Sequence, residues 1–566
     1  MVAFSFLFVA LSLVSFSFGA PTVSDATTLQ TSSGNPLSVL CGLPLIGQLL
    51  GKLCPPKQSL KSSLTVKTAI GTAQGVADSG INRFAVRYAS AERWAESNVA
   101  TTWSLPNNGT NPSALPLVCP QQNIDDSAFS EDCLSMLLYV PQSFTPSSSN
   151  PVFVWVHGGS FVAGSATDTG LDGSNLAVAT QSIVVVPQYR LGALGMLSPN
   201  GSTNLGLKDV INALTFINKN IAAFGGDTSR VTIAGQSSGA TMIRSLLAVP
   251  SASHLFQSAI LQSDPMDYGF LSVTTQQTLQ SAYNGLINCA ASDYSCQTAL
   301  SVDTILNAQV ALLNESLSLD ASVGTGEPLR TVNDGTLITS PLDSTAPFPS
   351  VNKPILVSTV LNEAALTIYG EFTSPIPQDE FLPICQVNLD NARAATVDNS
   401  SFYAPPAAAK DSGDSSGDAR VQLQTLGTDY IWRCSSWTFA RNWKTNGGSV
   451  YVGMYSVGAT YPGNEAVPFC TKPGSVCHQD DIEIVFGTVP HPTSAQSALI
   501  NEMQARYKEF MLTGSPNVPA YPPWYEATSS NVNALNLGGS GEVAVGSCEP
   551  SFWGESVPYD YQIFNI

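Results

Sequence analysis

The segment 230–247 constrains the fold of this chain more than any other part of the sequence. A β-branched run at 231–233 is followed by GQSSG at 235–239 and then by an apolar stretch of helical composition. Glycines two residues before and two residues after Ser237 allow neighbouring backbone to pass without a clash with a Cβ atom. The pattern is typical of a nucleophile elbow, in which the serine hydroxyl lies at the positive end of the following helix. The alternative interpretation is an ordinary loop rich in glycine and serine.

A nucleophilic serine needs a base, and the chain has only four histidines. We expect the base to be His478, which begins an amphipathic segment; a purely structural histidine is the alternative. His157 lies at a strand end before a glycine turn, and His254 precedes an apolar run. His491 is followed by a proline.

A carboxylate that orients the base is expected between Ser237 and His478, because elbow-type chains order these residues as serine, acid and histidine. Glu363 follows a buried-strand pattern at 354–360. Side chains just past the carboxyl end of a strand are where α/β folds place their sites. Glu363 is therefore the expected acid.

Strand and helix patterns alternate along the chain. Apolar residues recur at helical spacing from Leu207 to Ile221, until Gly225 and Gly226 end the pattern. This order predicts an α/β fold with a large, mostly parallel central sheet flanked by helices in a single large domain. A polar stretch at 404–417 is predicted to be a surface loop of that domain, with an interdomain linker as the alternative. The predicted core strands are 151–156, 182–186, 230–234, 258–261, 354–360 and 449–455.

Nine segments together resemble the type-B carboxylesterase/lipase family, which also contains cholinesterases and neuroligin-like adhesion proteins. They are 130–134, 157–161, 188–195, 204–207, 224–227, 235–240, 261–263, 362–363 and 477–482. The resemblance implies the α/β-hydrolase fold for residues 21–566 and suggests a secreted member of fungal type. It also implies a serine carboxylic ester hydrolase with Ser237 as nucleophile, His478 as general base and Glu363 as acid. The oxyanion hole would consist of three backbone N–H groups, those of Gly159, Ser160 and Ser238.

The chain departs from the commonest family pattern in four places. Ser160 replaces a glycine, Gln236 a glutamate and Ser238 an alanine, and the segment 84–94 lacks the usual motif. Ser160 would be strained if its position requires a positive φ. Ser263 matches a family serine that hydrogen-bonds the acid.

The N-terminus predicts export. Residues 1–20 are rich in Phe, Leu, Val and Ser and end in small residues, as in a signal peptide, so we expect a secreted protein with no integral membrane segment after cleavage. A membrane anchor is the alternative. Glycosylation is predicted at four sequons: Asn108, Asn200, Asn314 and Asn399.

Eleven cysteines suit an oxidising compartment. The resemblance implies the disulfides Cys119–Cys133 and Cys289–Cys296, and Cys470–Cys477 is a plausible third pair. Cys434, in an aromatic helical run, is predicted to be a buried free thiol. The partners of the remaining cysteines stay open: Cys41, Cys54, Cys385 and Cys548.

The net charge and the spacing of cysteines and histidines restrict which partners the chain can bind. A net charge of −19 disfavours nucleic acid and anionic membrane surfaces. No metal or other cofactor is expected, because no Cys/His cluster has the spacing of tetrahedral ligands. The expected partner is a small-molecule or lipid-like carboxylic ester; its acyl chain and alcohol, and the oligomeric state, stay open.

Two other functions compete with an esterase. The first is an inactive binding or adhesion protein on the same scaffold, although such relatives commonly lose the serine or histidine. The second is a triacylglycerol lipase, which needs a long amphipathic lid. The loop 120–132 has four acidic residues among thirteen and predicts no such lid. The same loop contains no tryptophan, the residue with which cholinesterases bind a quaternary ammonium group at this place. Choline esters are therefore disfavoured as substrates.

Overall fold

The computed structural model describes residues 64–78, 80–343, 348–349, 351–405 and 417–566. The predicted signal peptide, Cys41, Cys54 and most of the 404–417 stretch lie outside the described residues.

An eleven-stranded sheet forms the centre of the molecule. Across the sheet the strands follow the order β1-β2-β3-β4-β6-β5-β7-β8-β9-β10-β11. In chain order they are β1 (Thr65–Thr68), β2 (Gly71–Asp78), β3 (Ile81–Arg87), β4 (Ser135–Pro141), β5 (Asn150–Val156), β6 (Ile183–Pro187), β7 (Gly226–Gln236), β8 (Ser258–Gln262), β9 (Ile355–Val360), β10 (Val450–Tyr455) and β11 (Leu535–Leu537).

The sheet is antiparallel at one edge and parallel elsewhere. The β1–β2, β2–β3, β3–β4 and β4–β6 pairs are antiparallel. Every pair from β6–β5 to β10–β11 is parallel. The six predicted core strands are confirmed as β5 to β10, and the antiparallel strands and β11 were not predicted.

Helices connect the parallel strands, as parallel pairing requires. The helix predicted from Leu207 to Ile221 is confirmed as α3, and Gly225 follows in the left-handed region with φ 88°. The α-helices of the described residues are α1 (Ser174–Thr180), α2 (Gly192–Gly195), α3 (Leu205–Asn220), α4 (Ser238–Leu247), α5 (Val273–Leu286), α6 (Tyr294–Ala299), α7 (Val302–Leu319), α8 (Ala365–Glu371), α9 (Phe381–Asp398), α10 (Arg420–Gly427), α11 (Cys434–Thr445), α12 (Ile482–Phe486), α13 (Ser494–Thr513) and α14 (Asp560–Phe564).

Both faces of the sheet are buried under helices. Along β5, Val154 points into the core that contains α4, whereas Phe153 and Trp155 point into the core that contains α13. Side chains of a strand alternate between faces, so one strand contributes to both cores. This explains why the central strands are near-continuous apolar runs.

Four disulfides join cysteines of the described residues: Cys119–Cys133, Cys289–Cys296, Cys434–Cys548 and Cys470–Cys477. The three expected pairs are present. The prediction of a free thiol at Cys434 is wrong, because Cys434 at the start of α11 bonds Cys548, 114 residues later. Among the described residues the free thiol is Cys385, which is buried in α9.

The Cys434–Cys548 bridge should contribute more stability than a local bridge. In the chain-entropy description, closing a loop of roughly 100 residues is worth about 4.7 kcal/mol and a loop of under ten about 2.5 kcal/mol. Replacing both Cys434 and Cys548 by serine should therefore lower the unfolding free energy by about 2 kcal/mol more than replacing Cys289 and Cys296. Denaturant titration without reductant measures both losses, and equal losses would contradict the prediction.

Candidate active site

The strand–turn–helix around Ser237 is confirmed. Ser237 lies between the end of β7 and the start of α4, with φ 58° and ψ −132°. A Cβ on Gly235 would lie 2.6 Å from the carbonyl carbon of Gly239, and a Cβ on Gly239 would lie 2.2 Å from the Val156 oxygen. No side chain fits at either glycine, so both are required for the turn to pack against β5.

Glu363 and His478 form a hydrogen-bonded pair. His478 Nδ1 lies 2.6 Å from Glu363 Oε2, and Glu363 Oε1 accepts a hydrogen bond of 2.8 Å from the backbone N–H of Val360. Glu363 is 1% exposed. Since Val360 ends β9, the carboxylate is anchored to the sheet, and it holds the proton of the neutral imidazole on Nδ1.

The other imidazole nitrogen faces the elbow. His478 Nε2 lies 3.1 Å from Nε2 of Gln236, the residue before Ser237. Both Ser237 and His478 line the same cavity, but no hydrogen bond joins these two described residues. Hydrogen bonds of this kind are often long before a substrate binds.

The surroundings of His478 favour its protonated form. Burial lowers the pKa of His478, but the hydrogen bond to Glu363 and the charge of Glu363, with smaller contributions from Asp481 and Glu327, raise it above its ordinary value. An imidazolium formed here would therefore be stabilised by neighbouring carboxylates.

Gly159 and Ser160 line the cavity beside Ser237, and Ser238 follows Ser237 at the start of α4. The turn after β5 has positive φ angles of 116° at Gly159 and 52° at Ser160. A serine in this region is strained by roughly 1–2 kcal/mol, which glycine would avoid. Within the described residues, none of the N–H groups of Gly159, Ser160 and Ser238 donates a hydrogen bond to another protein atom.

Ser263 does not hydrogen-bond Glu363. Its hydroxyl is buried and has no hydrogen-bond partner, although its N–H donates to the Ser358 oxygen at 2.7 Å. Both oxygens of Glu363 already accept other hydrogen bonds, from Val360 and His478. The prediction that Ser263 hydrogen-bonds the acid is therefore wrong.

The remaining histidines do not enter the cavity. His157 is buried, its Nδ1 lies 2.9 Å from the Gly158 oxygen, and its ring stacks on Tyr189. Burial lowers the pKa of His157 to about 4, so it is neutral at ordinary pH. His254 and His491 are exposed.

A cavity of about 150 Å³ opens above Ser237. Its walls are mainly apolar, and the Trp432 ring lies 5.4 Å from the His478 ring. Sequence analysis missed Trp432, because its position above the site depends on a π-helical turn at Thr428–Arg433. The apolar wall includes Val162, Leu313, Leu329, Leu366, Trp432 and Val467.

Apart from His478, the charged side chains among the described residues that line this cavity are all carboxylates. They are Glu327, Glu363 and Glu371. Glu327 was also missed, since a single glutamate in GTGEP at 324–328 carries no recognisable signal. The described residues contain no group of three or more His, Cys, Asp or Glu side chains that could hold a metal ion.

The segment that carries His478 is braced on both sides. The Cys470–Cys477 disulfide precedes it. Asp480 accepts a hydrogen bond of 2.7 Å from the Cys477 N–H, and Asn464 donates one of 2.8 Å to the His478 oxygen. These contacts set the position of the imidazole relative to the elbow.

Comparison with known proteins gives the family. The sequence model of the carboxylesterase family matches residues 62–552 of this chain. The chain belongs to the carboxylesterase family. Within the family it is 28% identical to carboxylesterase 1E of Mus musculus over 507 residues, which cover 82% of this chain and 86% of that protein.

Other relatives match over shorter spans. The crystal protein of Dictyostelium discoideum is 29% identical over 396 residues, 67% of this chain and 66% of that protein. The para-nitrobenzyl esterase of Bacillus subtilis (strain 168) is 36% identical over 215 residues, 35% of this chain and 43% of that protein. The match therefore covers less than two thirds of the length of each of these two relatives.

Solved structures share the fold. A PNB esterase superposes with a TM-score of 0.68 at 23% identity, covering 84% of this chain and 95% of that one. A carboxylesterase of Geobacillus stearothermophilus superposes with a TM-score of 0.69 at 22% identity, covering 87% and 100%. The α/β-hydrolase fold expected from the sequence is confirmed.

Buried carboxyl groups near the site make stability depend on pH. Burial raises the pKa of Asp168, Asp480 and Glu483 to about 7 and that of Asp481 to about 6. The folded protein therefore binds these protons more tightly than the unfolded chain, and the stability they contribute is lost as pH rises from about 4 through about 7. The lowered pKa of His157 has the opposite effect, because the unfolded chain binds that proton more tightly, but one such group does not outweigh four raised carboxyl groups between pH 5 and pH 8. We expect a higher thermal unfolding midpoint at pH 5 than at pH 8.

A matched pair of variants tests the cause. Asp168→Asn should reduce the fall in midpoint between pH 5 and pH 8, because it removes one raised carboxyl group. Asp126→Asn, at an exposed position, should leave that fall unchanged. A midpoint that increases from pH 5 to pH 8 in the unmodified protein would contradict the interpretation.

Proposed function

We propose that this chain is a serine carboxylic ester hydrolase that works through an acyl-enzyme. The main support is the position of Ser237, which the elbow holds in a cavity shared with the Glu363–His478 pair. Membership of the carboxylesterase family supports the same reaction.

Acylation begins when Ser237 Oγ attacks the ester carbonyl carbon. The Ser237 hydroxyl turns toward His478 Nε2, displaces the contact with Gln236 and gives its proton to that nitrogen. Glu363 keeps the other ring proton on Nδ1 and stabilises the imidazolium. The tetrahedral intermediate then collapses, and Nε2 returns the proton to the leaving alcohol.

The developing oxyanion is held by the free N–H groups of Gly159, Ser160 and Ser238. Because the sheet and the strained turn hold these donors in place before reaction, little reorganisation is needed. Losing one such donor typically costs about 2.7–4 kcal/mol of transition-state stabilisation.

Deacylation repeats the same steps with water. His478 removes a proton from water as the water oxygen attacks the acyl carbon, and then returns that proton to Ser237 Oγ as the carbon–oxygen bond breaks. The carboxylic acid leaves a cavity lined by Glu327 and Glu371. Repulsion by these groups, when ionised, favours release of the carboxylate product.

An inactive binding protein is the less favoured function. Such a protein has no need of the strained φ at Ser237 or of a histidine oriented by a buried glutamate. Strain of this kind persists at functional sites because the surrounding structure supports it.

Export is part of the proposal. It rests on the signal-like residues 1–20 and on four disulfides. All four sequon asparagines are exposed, as attachment of glycans requires: Asn108, Asn200, Asn314 and Asn399. Among the described residues, no helix has both the length and the apolar character needed to cross a membrane.

Substitutions at the three residues should show that they act as a unit. Ser237→Ala and His478→Ala should each lower kcat by roughly 10⁴-fold or more, Glu363→Gln somewhat less, and the double variants hardly further. Initial rates on p-nitrophenyl butyrate measure these losses, with circular dichroism to check folding. His254→Ala, at an exposed histidine, is the control and should retain full activity. Independent, additive losses would contradict a single catalytic unit.

A second prediction separates an esterase from a lipase. None of the described residues that line the cavity comes from 120–132, the loop inside the Cys119–Cys133 bridge. The loop therefore does not cover the cavity, and hydrolysis of tributyrin should saturate smoothly through its solubility limit. A sharp rise in rate at that limit, measured by acid release, would make a lipase the better description.

A further inference from the structure

Apart from repelling the carboxylate product, Glu327 has no part in the catalytic steps above, yet it lies in the same cavity as Ser237, Ser160 and His478. Its backbone has a positive φ of 51°, which a glutamate adopts only at a cost in energy. Strained residues of this kind cluster at ligand sites. The position therefore calls for an explanation beyond packing.

The loop before Glu327 is held rigidly. Arg330 is fully buried. Its Nη1 donates to the backbone oxygen of Val323 at 2.7 Å and to the backbone oxygen of Glu327 at 3.1 Å. At Gly326 a Cβ would lie 2.2 Å from the Tyr268 hydroxyl. These contacts fix the direction in which the Glu327 side chain leaves the backbone.

The Glu327 carboxyl group lacks a protein partner for one of its oxygens. Its Oε2 is buried without a hydrogen bond, and no Lys, Arg or His of the described residues forms an ion pair with it within 4.0 Å. Arg330 hydrogen-bonds backbone oxygens instead. An unpaired buried acceptor destabilises the protein, and a donor from a ligand would offset that cost.

Burial raises the pKa of Glu327 to about 7, while the charges of Arg330 and His478 and the nearby Ser160 hydroxyl pull it down. At pH 8 the group is therefore mostly a carboxylate. No Lys or Arg lines the described cavity, and the protein donor beside this carboxyl group is the neutral Ser160 hydroxyl, so a cationic donor would have to come from the occupant.

We propose that Glu327 is a specificity residue that accepts a hydrogen bond from a hydroxyl or ammonium group of the ester substrate. The proposal rests on the ester hydrolase function proposed above and names its substrate class: hydroxylated or amino-substituted carboxylic esters. The apolar wall takes the hydrocarbon part, and Glu327 distinguishes these esters from alkyl esters of the same size. A site built to bind a polar group rejects the analogue without it, because the site's own polar group stays unpaired.

Matched ester pairs at pH 8 test the proposal. On the acyl side, p-nitrophenyl 6-hydroxyhexanoate and 6-aminohexanoate are each compared with p-nitrophenyl heptanoate. On the alcohol side, 2-hydroxyethyl butanoate is compared with propyl butanoate. For each pair, kcat/KM of the polar ester is divided by kcat/KM of the alkyl ester, in the unmodified protein and in Glu327→Leu.

We expect this ratio to fall about 10- to 100-fold in Glu327→Leu for at least one pair, as for loss of a hydrogen bond to a charged group. The pair that responds shows which side of the ester carries the donor. Glu315→Leu is the matched control, because Glu315 is an exposed glutamate of α7 outside the cavity, and its ratios should not change.

Two outcomes would overturn the proposal. The first is that every ratio stays within about twofold of its original value. The second is an equal loss of kcat/KM for polar and alkyl esters. Such a loss would mean that the substitution acts through the charge felt by His478 and not through substrate recognition. If Glu327→Leu does not fold, Glu327→Gln with the 6-aminohexanoate ester decides by the same ratio. Failure of the ester hydrolase function is distinct, since no ester would then be hydrolysed faster than by Ser237→Ala.

Discussion

The close approach of backbone segments at the carboxyl ends of β5 and β7 underlies the whole site. A Cβ on Gly158 would lie 2.6 Å from the Gln236 oxygen, and one on Gly239 would lie 2.2 Å from the Val156 oxygen. With no side chain between them, the two turns pack directly against each other. The strained Ser237 and the free N–H groups are consequently held at a short, fixed separation, and the packing of the sheet supports the strain.

Hydrogen bonding separates the carboxylates around the site into different roles. Glu363 is buried with both oxygens accepting hydrogen bonds, from Val360 and His478, so it serves the fold and the base together. Glu327 leaves one buried oxygen without a partner. Most buried polar groups are paired within the protein, and this unpaired oxygen belongs to a carboxyl group that lines the cavity, where a partner from outside the protein can reach the side chain.

Local sequence patterns predicted the parts of the molecule that depend on neighbours along the chain. The alternating apolar runs located β5 to β10, and the GQSSG motif located the elbow. The family resemblance implied the disulfides Cys119–Cys133 and Cys289–Cys296, and the short distance along the chain suggested Cys470–Cys477. The Cys434–Cys548 bridge was missed because its cysteines are 114 residues apart and meet only after α11 has packed. The expected bond from Ser263 to Glu363 is absent, because the buried Ser263 hydroxyl has no hydrogen-bond partner.

The sequence by itself determined the chemistry that is available: a serine between glycines, one favourable histidine and an acid after a strand. Only the tertiary structure decided which groups meet, since Ser237, Glu363 and His478 are brought together by the parallel order of β7, β9 and β10. It also decided that Trp432 and Glu327 form part of the cavity. Their positions depend on a π-helical turn and on a loop clamped by Arg330, and neither leaves a periodic signal in the sequence.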